Sequence, residues 1–202
     1  MSDELNRLLE RGLPASVVLG VLNGQLDEEF EVARWQEAKA VDKWCKGRKN
    51  IPVTLDAIWD LAPERFYLVL DGEHCNALDP ATIAVIEAST QEVCSKLTWI
   101  SNRDKDPWHR EYKSKSCGIA YRWVHGLAVT PPLLVKFEDQ LHIKGGTHRY
   151  HLARHYGTDR IPFLVRKSEW MDIEKLLPSA VLLTELEHPL ARNSQMKLPT
   201  SI

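Results

Sequence analysis

The stretch Lys144-Gly-Gly-Thr-His-Arg-Tyr-His-Leu-Ala-Arg-His-Tyr-Gly157 decides how the rest of the chain is read. The apolar run Leu141-His-Ile143 feeds two glycines, and helical spacing then runs from Thr147 to Tyr156 until Gly157 stops it. The expected unit is strand, tight turn, helix. Glycine lets a backbone approach a ligand closely, and a helix N-terminus offers unpaired N–H groups at the positive end of its dipole. Thr147, His148 and Arg149 add a hydroxyl, an imidazole and a guanidinium to that first turn. Such a cradle suits phosphate, which Arg holds bidentately. Gly145, Gly146, Thr147, His148 and Arg149 are therefore the candidate phosphate-binding group.

Working outward, Pro132–Phe137 reads as the preceding strand and Ile161-Pro-Phe-Leu-Val165 as a buried following one. Ser116–His125 carries an apolar helical face and ends at Gly126, while Trp170–Leu177 is a last helix before a polar tail. Further upstream, Phe66–Leu70 reads as a strand closed by Asp71-Gly72. Asp79-Pro80-Ala81-Thr82 is expected to open a helix to Cys94, and Leu97–Ile100 to form a second strand. Arg103–Lys115 has no hydrophobic period and reads as a loop.

The first 65 residues read as mostly helical. Ser16 is the expected cap of a first segment, and Asp27–Lys46 is a longer helix stopped by Gly47. The basic cluster Lys46, Arg48, Lys49 reads as a solvated helix end. Thr54 and Asp56 are expected to start a short helix through Leu61, ended by Pro63. The resulting division is a helical extension over 1–65, an α/β (α+β) domain with a mixed sheet over 66–168, and a C-terminal helix and tail over 169–202.

Composition supports a soluble globular protein. The 202 residues are 44% hydrophobic and 27% charged, and 26 Lys+Arg against 28 Asp+Glu give a formal net charge of -2. These values exclude disordered, collagen-like and coiled-coil classes. They also exclude a uniformly basic coat for nucleic acid, although a local patch is compatible with them. Cys45, Cys75, Cys94 and Cys117 are widely separated with no C-x-x-C pair, which fits reduced thiols. The start Met-Ser-Asp-Glu-Leu lacks the plan of a signal peptide, and the longest apolar run, Val17–Leu22, is too short to span a bilayer. A cytoplasmic location with no membrane partner is the expectation.

The run Gly145-Gly-Thr-His-Arg-Tyr150, then Tyr156-Gly157, then Ile161-Pro-Phe-Leu-Val165 resembles the signature of the ParB/sulfiredoxin superfamily. The resemblance covers residues 97–167, with Pro107, Arg110, Gly126 and Pro131-Pro132 in compatible places. It implies a small α/β fold whose turn holds nucleotide phosphates, with His148 and Arg149 as the phosphate-binding pair. It also implies a second group of Lys and hydroxyl side chains at the start of the preceding helix, matched by the run Lys113-Ser114-Lys115-Ser116, with Arg110 a further candidate. Sulfiredoxins carry a reactive Cys where this chain has Thr147, and a hydroxyl cannot form the thiosulfinate their chemistry needs. Partition proteins continue into DNA-binding and dimerisation domains, for which about 35 residues after 167 are too few. The resemblance therefore points to stand-alone members, including the fertility-inhibition proteins of conjugative plasmids.

If ATP or CTP binds with Mg2+, Asp104 and Asp106 are the expected hard ligands and Glu111 the expected general base, beside catalytic His148 and Arg149. His148, His151 and His155 share helical spacing, but no Glu or Cys completes a metal set, so His151 and His155 read as solvated. Asp71-Gly-Glu-His74 reads as a plain turn, with Glu73 and His74 as an acid/base alternative. Arg154 and Arg160 read as solvated or as a rim for nucleic acid. Trp99 and Trp123 read as core, and Trp108 as the candidate to stack a base. The leading expectation is a nucleotide phosphohydrolase that also cleaves DNA. The alternatives are a nucleotide-bound interaction or inhibitor protein, with a partner in DNA-transfer or partition machinery, and a small-metabolite kinase.

Overall fold

Ile83-Ala-Val-Ile-Glu-Ala-Ser89 is dense in β-branched residues, and in the computed structural model it is a strand, β1. The structure describes residues 2–47, 51–70 and 77–183. The expected helix over 79–94 is thus replaced by three pieces. A 3-10 turn, Pro80–Thr82, has Asp79 Oδ1 accepting from the Ala81 N–H at 2.9 Å. β1 follows, and then helix α4, Thr90–Lys96, capped by Ser89 Oγ. The spacing of Ile83, Val85, Ile86 and Val93 fits both periods, and pairing in the sheet decides between them.

The partner of β1 is β4, Arg160–Arg166, which is antiparallel in register from Ile83 opposite Arg166 to Ser89 opposite Arg160. β2, Leu133–Phe137, and β3, Gln140–Gly145, form an antiparallel hairpin, and β2 runs parallel to β4 at Leu133 and Leu164. A short β5, Val181–Leu182, adds to the other side of β1, so the mixed sheet has the order β3-β2-β4-β1-β5. The α/β class holds. Ile161–Val165 is buried throughout because β4 is covered on both faces. On one face Phe163, Val165, Leu134 and Ile86 pack with residues of α5, Lys113–Val124, of α6, Thr147–His155, and of α7, Trp170–Leu176. On the other, Leu133, Leu164 and Ile83 pack with Phe66, Tyr67 and Val69.

That second cover is where a strand over 66–70 was expected. Pro63–Val69 is instead a 3-10 helix, and Pro63 opens it rather than ending a helix before it. Residues 54–61 form no helix. They run extended, with Asp60 N–H donating to Val129 O at 2.8 Å and Val129 N–H to Ile58 O at 3.0 Å. Of Leu97–Ile100, only Leu97 bridges a strand, at Leu141. The loop after Arg103 ends earlier than expected, because Lys113–Lys115 already belong to α5.

The N-terminal region is helical: α1, Ser2–Glu10, α2, Ala15–Leu22, and α3, Glu28–Gly47. Ser16 does not cap α2, which begins one residue earlier behind Pro14. Asp27 does cap α3, accepting from Phe30 N–H at 2.7 Å. Leu8, Leu13, Val18 and Val32 make a small core of their own. α3 also packs on α5, with Trp44 edge-on to Tyr121 at 5.7 Å. Cys45, Cys94 and Cys117 are free thiols. Among the described residues no helix is long and apolar enough to cross a membrane. Asp71 to Cys75, Arg48, Lys49 and the tail after Leu183 lie outside the described residues.

Candidate functional site

The turn between β3 and α6 is built on glycine for two separate reasons. Gly146, at the N-terminus of α6, has φ of 80°, the left-handed region. A Cβ on Gly145 would stand 2.5 Å from the Val69 carbonyl oxygen, and one on Gly146 would stand 2.8 Å from Pro132 Cα. The close approach expected for a ligand is therefore made, at these two positions, by the chain's own backbone.

Beside this turn lies a cavity of about 480 Å³, inside the range of roughly 300–1,000 Å³ usual for small-ligand sites. One wall is a stripe of α5 at helical spacing: Ser114, Lys115, Gly118, Ile119 and Arg122. Facing it are Lys144 to Arg149, with Arg103, Val69 and Val129 completing the lining. All five residues of the expected phosphate cradle, and Lys115, thus come together. Among the described residues the lining holds six basic side chains, Arg103, Lys115, Arg122, Lys144, His148 and Arg149, and no carboxylate, with Glu37 pairing with Arg122 from outside it at 3.0 Å.

Ser114, from the run matched to the family's second phosphate group, also lines the cavity, whereas Arg103, Arg122 and Lys144 were not singled out from sequence. Arg103 sits after a polar turn and carries no motif, yet its Nη1 lies 3.0 Å from His148 Nδ1 and 3.2 Å from Nε2. Its guanidinium also stacks 4.4 Å over the Tyr112 ring, which meets His148 edge-on at 5.6 Å. Burial pulls the Arg103 pKa below its ordinary value. No carboxylate pairs with Arg103 or Lys144 among the described residues. A desolvated, unneutralised guanidinium beside an imidazole is a strong attractor for an anion.

Arg149 works differently from the expectation. Nη1 donates to Thr130 O and Nη2 to Leu68 O, both at 2.9 Å, so the guanidinium ties the 3-10 segment to the chain entering β2. The remaining expected residues are not on the cavity wall. Ser116 is buried and donates to Pro107 O at 2.6 Å. Arg110 and Lys113 are exposed outside the lining. Glu111 pairs with Lys105 at 2.7 Å, which holds its carboxyl below the usual range. Asp106 Oδ1 accepts from Trp108 N–H at 2.6 Å, and Asp104 is exposed. Among the described residues no three His, Cys, Asp or Glu are placed to hold a metal. Among the described residues, the carboxylates do not fit a magnesium site in this cavity.

Two sequence readings reverse. Trp99 is 84% exposed, whereas Trp108 is buried, with an indole N–H that finds no acceptor. Trp123 is core, as expected, and its indole donates to Ile58 O. Arg160 is not simply solvated; it pairs with Glu87 across the sheet at 3.0 Å.

His151 is buried, not solvated, and its Nε2–H donates to Ser101 O at 2.9 Å. Ser101 Oγ accepts from Ile143 N–H at 2.9 Å and lies 2.8 Å from His142 Nδ1, so one serine joins the 98–102 turn to β3 and α6. Burial lowers the His151 pKa to about 4 from 6.5. Between those values the unfolded chain binds a proton that the folded one does not. Stability is therefore full above pH 6.5 and is lost as pH falls toward 4, by about 3 kcal/mol. Urea midpoints from pH 7 to 4 should fall steeply in the native protein and less steeply in His151→Gln.

No family model matches the chain, and neither a curated protein nor a solved structure matches it.

Proposed function

We propose that the protein binds a nucleotide, ATP or CTP, through its phosphates in the cavity between α5 and the first turn of α6. The observation that carries this reading is a lining of six basic side chains, with no carboxylate among the described lining residues, set at a glycine turn and a helix N-terminus. The motif resemblance of residues 97–167 to the ParB/sulfiredoxin superfamily agrees with it. Phosphate charge would be met by Lys144, Lys115 and the Arg103–His148 pair, while Arg149 keeps the turn in place.

The same lining favours a nucleotide-bound interaction protein over a phosphohydrolase or nuclease. Hydrolysis needs a group to orient water, and Glu111, Asp104 and Asp106 are elsewhere. Magnesium enters this proposal only as the counter-ion of the phosphates. A cytoplasmic location and a protein partner in DNA-transfer or partition machinery belong to the same proposal.

Calorimetric titration with ATP and CTP tests it. Arg103→Ala and Lys144→Ala should each weaken binding about tenfold, the size expected for one charge-assisted contact. Affinity should fall as salt rises. Wild-type affinity in both variants would overturn the assignment. Release of inorganic phosphate at rates of ordinary enzymes, about 1 per second or faster, would instead restore the hydrolase reading.

A further inference from the structure

Arg122 stands at the end of the α5 stripe away from Lys115, about 10 Å along the helix axis. Gly118 and Ile119 form the stripe between them, and Val69 and Val129 belong to the same lining. The cavity is thus cationic around the start of α6 and of α5, apolar along its middle, and bounded beyond that by one more guanidinium.

That guanidinium differs from the others. Nη1 donates to Glu37 of α3 at 3.0 Å, and Nε donates to Ala128 O at 3.1 Å. Its charge is offset and two of its three nitrogens are fixed. Nη2 donates to nothing among the described residues. A guanidinium already paired with a carboxylate is a weak anchor for a second phosphate and a good donor to a neutral acceptor. An apolar slot between the phosphate end and this donor matches the base of a nucleotide, whose faces are apolar and whose edge is polar.

Resting on the reading of the cavity as a nucleotide site, we infer that Arg122 determines base specificity. It donates from Nη2 to an exocyclic carbonyl of guanine, cytosine or uracil, and Glu37 is the positioning residue that aims it. Adenine accepts only at its ring nitrogens and carries a donor amino group where guanine carries its exocyclic carbonyl, and Arg has no acceptor to offer that amino group. The helical extension thereby enters the site through α3.

Titration of the full chain with GTP, CTP, UTP and ATP, at one salt and magnesium concentration, tests this. The shared triphosphate cancels, so differences report the base. At least one carbonyl-bearing nucleotide should bind about tenfold or more tightly than ATP, because Nη2 meets an exocyclic acceptor there and a donor amino group in adenine. Arg122→Ala should bring all four within about twofold of one another. Glu37→Ala should do the same, and Glu37→Gln should recover the preference, since its amide oxygen still accepts from Nη1. Should Arg122→Ala not fold, the Glu37 pair decides alone. Equal affinities in the native protein, or a preference that survives in the variants, would overturn the inference and leave nucleotide binding standing. Failure of all four to bind would remove both.

Discussion

Arg149→Ala is expected to destabilise the fold by about 3 kcal/mol, because its two donors serve carbonyls that water reaches poorly. Thr130 is buried and Leu68 half-buried, and each carbonyl accepts a charge-assisted bond at 2.9 Å. Bonds of this kind contribute about 1.5–3 kcal/mol apiece, and two acceptors are orphaned together. With a urea slope of about 2 kcal/mol/M, the unfolding midpoint should drop by about 1.5 M. Arg149→Lys should recover less than half of that, since one ammonium cannot reproduce a fixed fork. A midpoint unchanged in Arg149→Ala, with nucleotide affinity lost, would return Arg149 to the purely ligand-binding role the motif suggests.

Gly145→Ala should cost about 3 kcal/mol, for a steric reason distinct from backbone conformation. The new methyl would stand 2.5 Å from Val69 O, a main-chain atom that cannot rotate away. Gly157→Ala supplies the comparison: its φ of 77° carries the left-handed penalty, but nothing lies within 4 Å of the added carbon. It should cost about 1 kcal/mol. Similar losses at the two positions would show that the contact with Val69 relaxes freely. Because Gly145 also lines the cavity, the relaxation that accommodates the methyl should weaken nucleotide binding along with stability.

The parts of this molecule legible in its sequence are those set by local chemistry. β2, β3, α6, β4 and α7 follow from short apolar runs punctuated by glycine, and α3 from its period and the stop at Gly47. The cradle of Gly145 to Arg149 was legible because five consecutive residues carry it. What misled the reading was the segment 54–100, where Phe66–Leu70 and Ile83–Val93 fit two periods equally well. Only their place against the sheet chose 3-10 helix for one and strand for the other.

The remaining cations of the cavity, Arg103, Lys144 and Arg122, were placed there by tertiary structure. Arg103 and His148 are 45 residues apart and meet because the Ser101 hydrogen bonds dock the 98–102 turn on β3. Arg122 faces the same cavity because α5 lays one stripe against the turn, and Glu37 reaches it from α3. Sequence by itself determined the glycine turn and helix start at residues 145–149, which need only their neighbours. Which cations join it, which of its own arginines brace the fold, and which carboxylates stay away are matters of distance through space. Those distances are set by burial and hydrogen bonding across the whole chain.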